Sequence, residues 1–297
     1  MKMKDNEKSA IKGTLAAFAA YGMWGIFPLY WKQLESVEPS QIISHRIFWA
    51  GIFCILLMAA RGRLPEIAGL VRNRKKLLVV IASSAFLTVN WWVYIWAVNA
   101  GRVMESALGY YINPLFSIAL GLAFFREKAD GWTKAAVIIA AAGIIGAAIV
   151  YGSVPWISLS LAASFSVYGA LKKKLGLDPL LGLTIETLAA APFAVVFLLV
   201  RQGAGMGMYW NGGAVTTILL TLAGVLTAIP LLLFAAAANS ISLQKMGFIQ
   251  YVSPTLQLFL GIAVFGEKPS AALLVAFIGV IAAVLLYIFT RRKALAG

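Results

Sequence analysis

Apolar stretches of about 20 residues alternate with short polar breaks along the whole chain. A helix rises about 1.5 Å per residue, so about 20 residues cross a hydrocarbon core of about 30 Å. Ten such segments are predicted: residues 11–31, 41–60, 77–98, 104–125, 132–150, 154–171, 180–200, 213–236, 246–265 and 271–290. The pattern predicts an all-α membrane protein with ten transmembrane helices and short connections. The first segment runs past Ala17-Phe18-Ala19 as far as Trp31, too long for a typical signal-peptide core.

Several segments carry groups that lipid would leave unsatisfied. The fourth holds Tyr110, Tyr111, Asn113 and Pro114, and the ninth holds Gln250, Tyr251, Ser253, Pro254 and Gln257. In the ninth, Gln250, Ser253 and Gln257 recur at i, i+3, i+7, which places them on one helix face. The first segment carries Trp24, Phe27 and Trp31 at the same spacing, with Pro28 among them. The third carries Asn90 and Tyr94 on one face and Trp92, Trp96 and Asn99 on another. Aromatic rings beside amides suit an amphiphilic organic solute. The predicted binding set is therefore Trp24, Asn90, Trp92, Tyr94, Trp96, Asn99, Tyr110, Tyr111, Asn113, Gln250, Tyr251, Ser253 and Gln257. Pro28, Pro114, Pro230 and Pro254 are predicted helix breaks or hinges.

The chain resembles itself at an offset of 140 residues. Lys32/Lys172, Pro39/Pro179, Asn99/Asn239, Tyr111/Tyr251, Pro114/Pro254 and Glu127-Lys128/Glu267-Lys268 all match in one register. This predicts two repeats, residues 11–150 and 154–290, of five helices each. Five is odd, so the second repeat enters the membrane inverted, and a site between them can be opened to alternate sides.

Charge fixes the orientation. Twenty of the 25 Lys and Arg residues fall in breaks or at segment ends on the side of the N-terminus, four fall on the other side, and Arg46 lies deeper within a segment. The positive-inside rule then places both termini in the cytoplasm. A net charge of +14 invites a nucleic-acid partner, but basic residues confined to short loops do not form a binding face. One Cys and one His leave no material for a disulfide framework, a His/Cys zinc site or a Ser-His-Asp triad. No Gly-rich phosphate loop ending in Lys-Ser/Thr is present, so ATP hydrolysis is not expected, and one His and one deep acid at different levels do not form the cluster a membrane enzyme needs, so no enzyme, metal or other cofactor is expected. Intramembrane charges face a bundle interior or water. Arg46 and its repeat counterpart Glu186 lie on opposite sides, which does not favour a direct pair. Either they and His45 serve charge or proton coupling, or they snorkel and hydrogen-bond to neighbouring helices. Small residues at Ala142/Gly146, Gly143/Ala147, Ala272/Ala276 and Gly279/Ala283 mark the fifth and tenth segments as packing helices or a homodimer face.

The combined set of Ala20-Tyr21-Gly22-Met23-Trp24-Gly25-Ile26-Phe27-Pro28, His45-Arg46, Trp96-Ala97-Val98-Asn99, Leu108 to Pro114, Glu186-Thr187, Gly247-Phe248 and Ser253-Pro254-Thr255-Leu256 resembles the EamA-type carriers of the drug/metabolite transporter superfamily. The resemblance spans nearly the whole chain. It implies two EamA repeats in a bacterial inner membrane, with a central cavity walled by the first, third, fourth, sixth, eighth and ninth segments and the fifth and tenth at the periphery. It implies a secondary transporter exporting small organic solutes such as metabolites, amino acids or drugs. The competing class is a non-transporting membrane receptor or assembly scaffold, which would not need proline-broken polar helices in both halves.

Overall fold

The structure, a computed structural model, describes residues 2–124, 131–151, 154–238, 240–241 and 249–296. Asn239, Gly247, Phe248 and Glu127-Lys128 lie outside the described residues. Among the described residues there is no strand. The helices are α1 (Lys2–Lys32), α2 (Pro39–Ala60), α3 (Pro65–Arg72), α4 (Arg74–Asn99), α5 (Val103–Phe124), α6 (Gly131–Tyr151), α7 (Trp156–Leu175), α8 (Pro179–Gly203), α9 (Met208–Asn211), α10 (Gly213–Ala238), α11 (Val252–Phe259) and α12 (Ala271–Ala296). A π-helical turn, Leu260–Val264, continues α11.

Local chemistry sets the boundaries. Pro39, Pro65 and Pro179 open α2, α3 and α8, where a missing N–H costs nothing. Asn73 and Asp178 cap α4 and α8 by accepting from the backbone of Lys76 and Leu181. Gly176 ends α7 in the left-handed region at φ 55°. Glu267 lies in the connection between α11 and α12, yet it caps α5. Its carboxylate accepts from Val103 N at 2.7 Å and Met104 N at 2.9 Å. Burial pushes this carboxyl above the usual carboxylate range, opposed by those two backbone donors.

Helices α2, α4, α8 and α10 are each long and apolar enough to cross a membrane. Shorter apolar helices run over Lys134–Val150, Val252–Val264 and Ala271–Leu286. Large apolar side chains such as Leu15, Leu56, Leu78, Ile149, Phe193 and Ile278 face outward, an arrangement suited to lipid and not to water. The main core joins α1, α2, α4, α7, α8 and α10, and a second cluster joins α5, α6 and α12.

The expected small-residue helices pack on each other inside one chain. A Cβ on Gly143 would stand 2.8 Å from Gly279 Cα, and one on Gly279 would stand 2.6 Å from Gly143 Cα. Backbone therefore meets backbone between α6 and α12, and Ala136, Ala140, Ala147, Ala272, Ala276 and Ala283 are buried around the contact. This corrects the homodimer expectation. The faces that would have joined two copies are already covered by each other.

Candidate functional site

A backbone carbonyl freed by a proline supplies the first element of the site. Pro28 has no N–H for the carbonyl one turn back, that of Trp24. Gln257 Nε2 donates to that carbonyl at 3.3 Å and also to Ser253 Oγ at 3.2 Å, so α11 is tied to the proline turn of α1. Across the bundle, Asn90 Nδ2 donates to Leu161 O and Ser164 Oγ, both at 3.0 Å, and its Oδ1 accepts from Tyr110 OH at 3.2 Å. Asn113 Nδ2 donates to Ala162 O and Ser166 Oγ, while its Oδ1 accepts from Gln250 Nε2 at 2.8 Å. These amides hold α4, α5, α7 and the approach to α11 around a common space.

That space is a cavity of about 620 Å³, including its mouth. Its walls are Tyr21, Trp24 and Phe27 from α1, Asn90, Trp91 and Tyr94 from α4, Tyr110 from α5 and Phe165 from α7. Thr227 and Leu231 of α10 and Gln250, Ser253, Pro254 and Gln257 in and before α11 close it, with Arg46 entering from α2. Trp24 anchors the aromatic wall, edge-on to Tyr21 at 5.4 Å and to Phe165 at 6.4 Å between centroids.

Arg46 is the cationic residue of this wall and is only 3% exposed. Its Nε donates to Thr227 Oγ1 at 2.8 Å. Its Cζ lies 4.6 Å from the Trp31 ring centroid and 4.5 Å from that of Trp91. Among the described residues no carboxylate pairs with it, and Nη1 has no hydrogen-bond partner.

Glu186 has a different setting. Its side chain is buried on α8, with Lys172 Nζ 3.1 Å from Oε1 and 3.2 Å from Oε2. It accepts from Ser83 Oγ at 3.0 Å and from Tyr168 OH at 3.5 Å. It borders a smaller cavity between α2, α4 and α8 that shares Trp91 with the larger one. His45 stacks on Tyr209 with ring centroids 4.8 Å apart.

Of the predicted binding set, the structure brings Trp24, Asn90, Tyr94, Tyr110, Gln250, Ser253 and Gln257 into the cavity wall. Asn113 stands behind Gln250. The others point elsewhere. Trp92 is 40% exposed, and its Nε1 donates to Ser40 Oγ. Trp96 packs on Trp156, and Asn99 Nδ2 reaches Leu34 O at 3.5 Å. Tyr111 stacks on Tyr251 at 5.8 Å, and its hydroxyl shares a hydrogen bond with Thr255 Oγ1. The reason is helical pitch. About 100° per residue turns the Trp92–Trp96–Asn99 face away when Asn90 and Tyr94 face inward. The same pitch brings in Trp91, which the sequence reasoning passed over, together with Tyr21, Phe27, Phe165, Thr227 and Leu231. Tyr21 and Phe27 stand one turn either side of Trp24, and Thr227 stands one turn before Pro230, so spacing was the available signal. Pro28, Pro114 and Pro230 lie within continuous helices. Among the described residues no group of three His, Cys, Asp or Glu side chains is placed to hold a metal.

Comparison with known proteins adds the following. The model of the EamA-like transporter family matches residues 11–149. "Uncharacterized transporter YojE" of Bacillus subtilis is 43% identical over 286 residues, 95% of either chain. "Protein RarD" of Escherichia coli is 35% identical over 290 residues, covering 96% of this chain and 98% of that one. "Chloramphenicol-sensitive protein RarD" of Pseudomonas aeruginosa is 26% identical over 268 residues, covering 86% of each. One solved crystal structure shares the fold, with a TM-score of 0.63, 17% identity and coverage of 94% and 98%.

Proposed function

The chain belongs to the EamA-like transporter family, and on that premise we propose that it is a secondary carrier exporting a small organic solute across the bacterial inner membrane by alternating access. The coarser part, a multi-pass membrane transporter and not an enzyme, rests on the family and its relatives. The cavity carries the finer part. Its walls come from both halves of the chain, with α1, α2, α4 and α5 on one side of the division and α7, α10 and α11 on the other.

Helix packing supports ten spans arranged as two repeats. Matching helices of the two halves pack on each other: α2 on α8, α5 on α11 and α6 on α12. The larger of the other contacts between the halves come in reciprocal pairs, α5 on α7 with α11 on α1, α4 on α7 with α10 on α1, and α4 on α8 with α10 on α2. Such reciprocity is what a pseudo-two-fold axis produces, and an odd number of spans per repeat makes the relation an inversion. The halves would rock about the cavity, with Pro28, Pro114, Pro230 and Pro254 as the points of bending.

In proteoliposomes, a mixed panel of amino acids and metabolites should yield at least one solute that moves faster through the native protein than through Gln250→Ala or Asn113→Ala, with and without a pH gradient. Equal rates for all three proteins across the panel would sink the carrier reading. Reporter fusions after Lys128 and Lys268 should mark opposite sides of the membrane; the same side would refute the inversion.

A further inference from the structure

The guanidinium of Arg46 is a buried cation in the cavity wall with few partners among the described residues. It is 3% exposed, carries its charge at any physiological pH and spends one donor on Thr227. Nη1 spends none. A second donor close by is in the same condition. Tyr94 is 5% exposed, lines the same cavity and has a hydroxyl with no partner among the described residues. Among the described residues no Asp or Glu lines the cavity. Two indole rings within 5 Å of Cζ ease the burial of the cation but accept none of its remaining N–H groups.

A buried donor left unmade costs free energy, and a buried charge costs more. Two such donors, one cationic, beside an open space describe a receptor for an acceptor-rich anion. We infer that the cavity takes a solute bearing a single carboxylate, with Arg46 and Tyr94 as the anion-binding pair and an apolar or aromatic body lying toward Trp24 and Phe165. This deepens the carrier reading and rests on it. One guanidinium matches one negative charge and presents a planar fork to a planar carboxylate. A phosphate dianion would bring a second charge that nothing in these walls offsets. A free ammonium finds no carboxylate here, so the positive end of a zwitterion would gain only amide and aromatic contacts.

The test uses purified full-length protein and a matched set of probes, 3-phenylpropanoate, 3-phenylpropanamide, 3-phenylpropylamine and phenylphosphonate, with binding followed by calorimetry. The carboxylate should bind at least about tenfold more tightly than the amide or amine, the difference that a charge-assisted hydrogen bond makes. Arg46→Gln should erase that preference, Arg46→Lys should keep part of it, and Tyr94→Phe should weaken the carboxylate a few-fold. Thermal unfolding of each variant shows whether it is folded. Equal binding of amide and carboxylate, tighter binding of the phosphonate, retention of the preference in Arg46→Gln, or no binding by any probe would each overturn the assignment. The carrier reading fails separately. A protein that transports only neutral or cationic solutes keeps that reading and loses the anion, whereas one that binds the carboxylate but moves nothing keeps the anion and loses the carrier.

Discussion

Arg46 and Glu186 occupy corresponding places in the two halves, 140 residues apart, and both side chains are buried, at 3% and 2% exposure. Each bonds a hydroxyl from the opposite half, Arg46 to Thr227 of α10 and the Glu186 carboxylate to Ser83 of α4, while Ser84 donates to the Glu186 backbone carbonyl. There the likeness stops. Glu186 has Lys172, two hydroxyl donors and a tight surround, the arrangement that lets a buried charge contribute to structure. Arg46 has rings and one hydroxyl, and it opens on the larger cavity. Of these two positions 140 residues apart, one is completed by neighbouring side chains and the other is not, and the proposed anion site rests on that difference.

The sharpest way to break this comparison is to remove both charges in turn. Arg46→Gln should weaken binding of the transported solute by about 2–3 kcal/mol, while the unfolding temperature holds or rises because a costly buried charge is gone. A large fall in stability without loss of binding would make Arg46 the structural member. Glu186→Gln should do the reverse. It should cost about 2 kcal/mol of stability and leave transport within about threefold, since Glu186 lines only the smaller cavity. Adding Lys172→Gln should cost less than in the native background, because the pair is already broken. Abolished transport, or a lost response to a pH gradient, in a stable Glu186→Gln protein would show that Glu186 takes part in the cycle.

The sequence announced this contrast only in part. Hydrophobic runs and breaks located the helices because lipid imposes one rule on every residue of a span. The offset of 140 made Arg46 and Glu186 counterparts, and their depths argued against a mutual pair; the structure gives each a different partner. The amide and aromatic positions were legible as polar or bulky groups where lipid would not reward them. The inward face was not legible. In α4 both the Asn90–Tyr94 and Trp92–Trp96 faces carry aromatics, and only packing against α7 and α2 decides between them. Trp91 reads as one more aromatic until Arg46 is placed beside it. The α6–α12 contact was half legible. Small residues signal close approach, but they do not say whether the approaching helix belongs to the same chain.

The smallest expected effect separates two ways in which a ring can serve Arg46. Trp31 and Trp91 lie almost equally close to its guanidinium, at 4.6 and 4.5 Å, but only Trp91 lines the cavities. Phenylalanine keeps an aromatic face with a weaker quadrupole, so each substitution should reduce the cation–π contribution by about 1 kcal/mol or less. If the rings act by holding the guanidinium in place, Trp31→Phe and Trp91→Phe should weaken carboxylate binding about equally. A loss confined to Trp91→Phe would mean that Trp91 touches the solute itself. Trp91 also borders the space beside Glu186, so the same variant carries a second readout. A Trp91→Phe protein as stable as Trp31→Phe keeps the two buried charges independent. A selective loss of stability, reversed when Glu186→Gln is added, would show that Trp91 couples them.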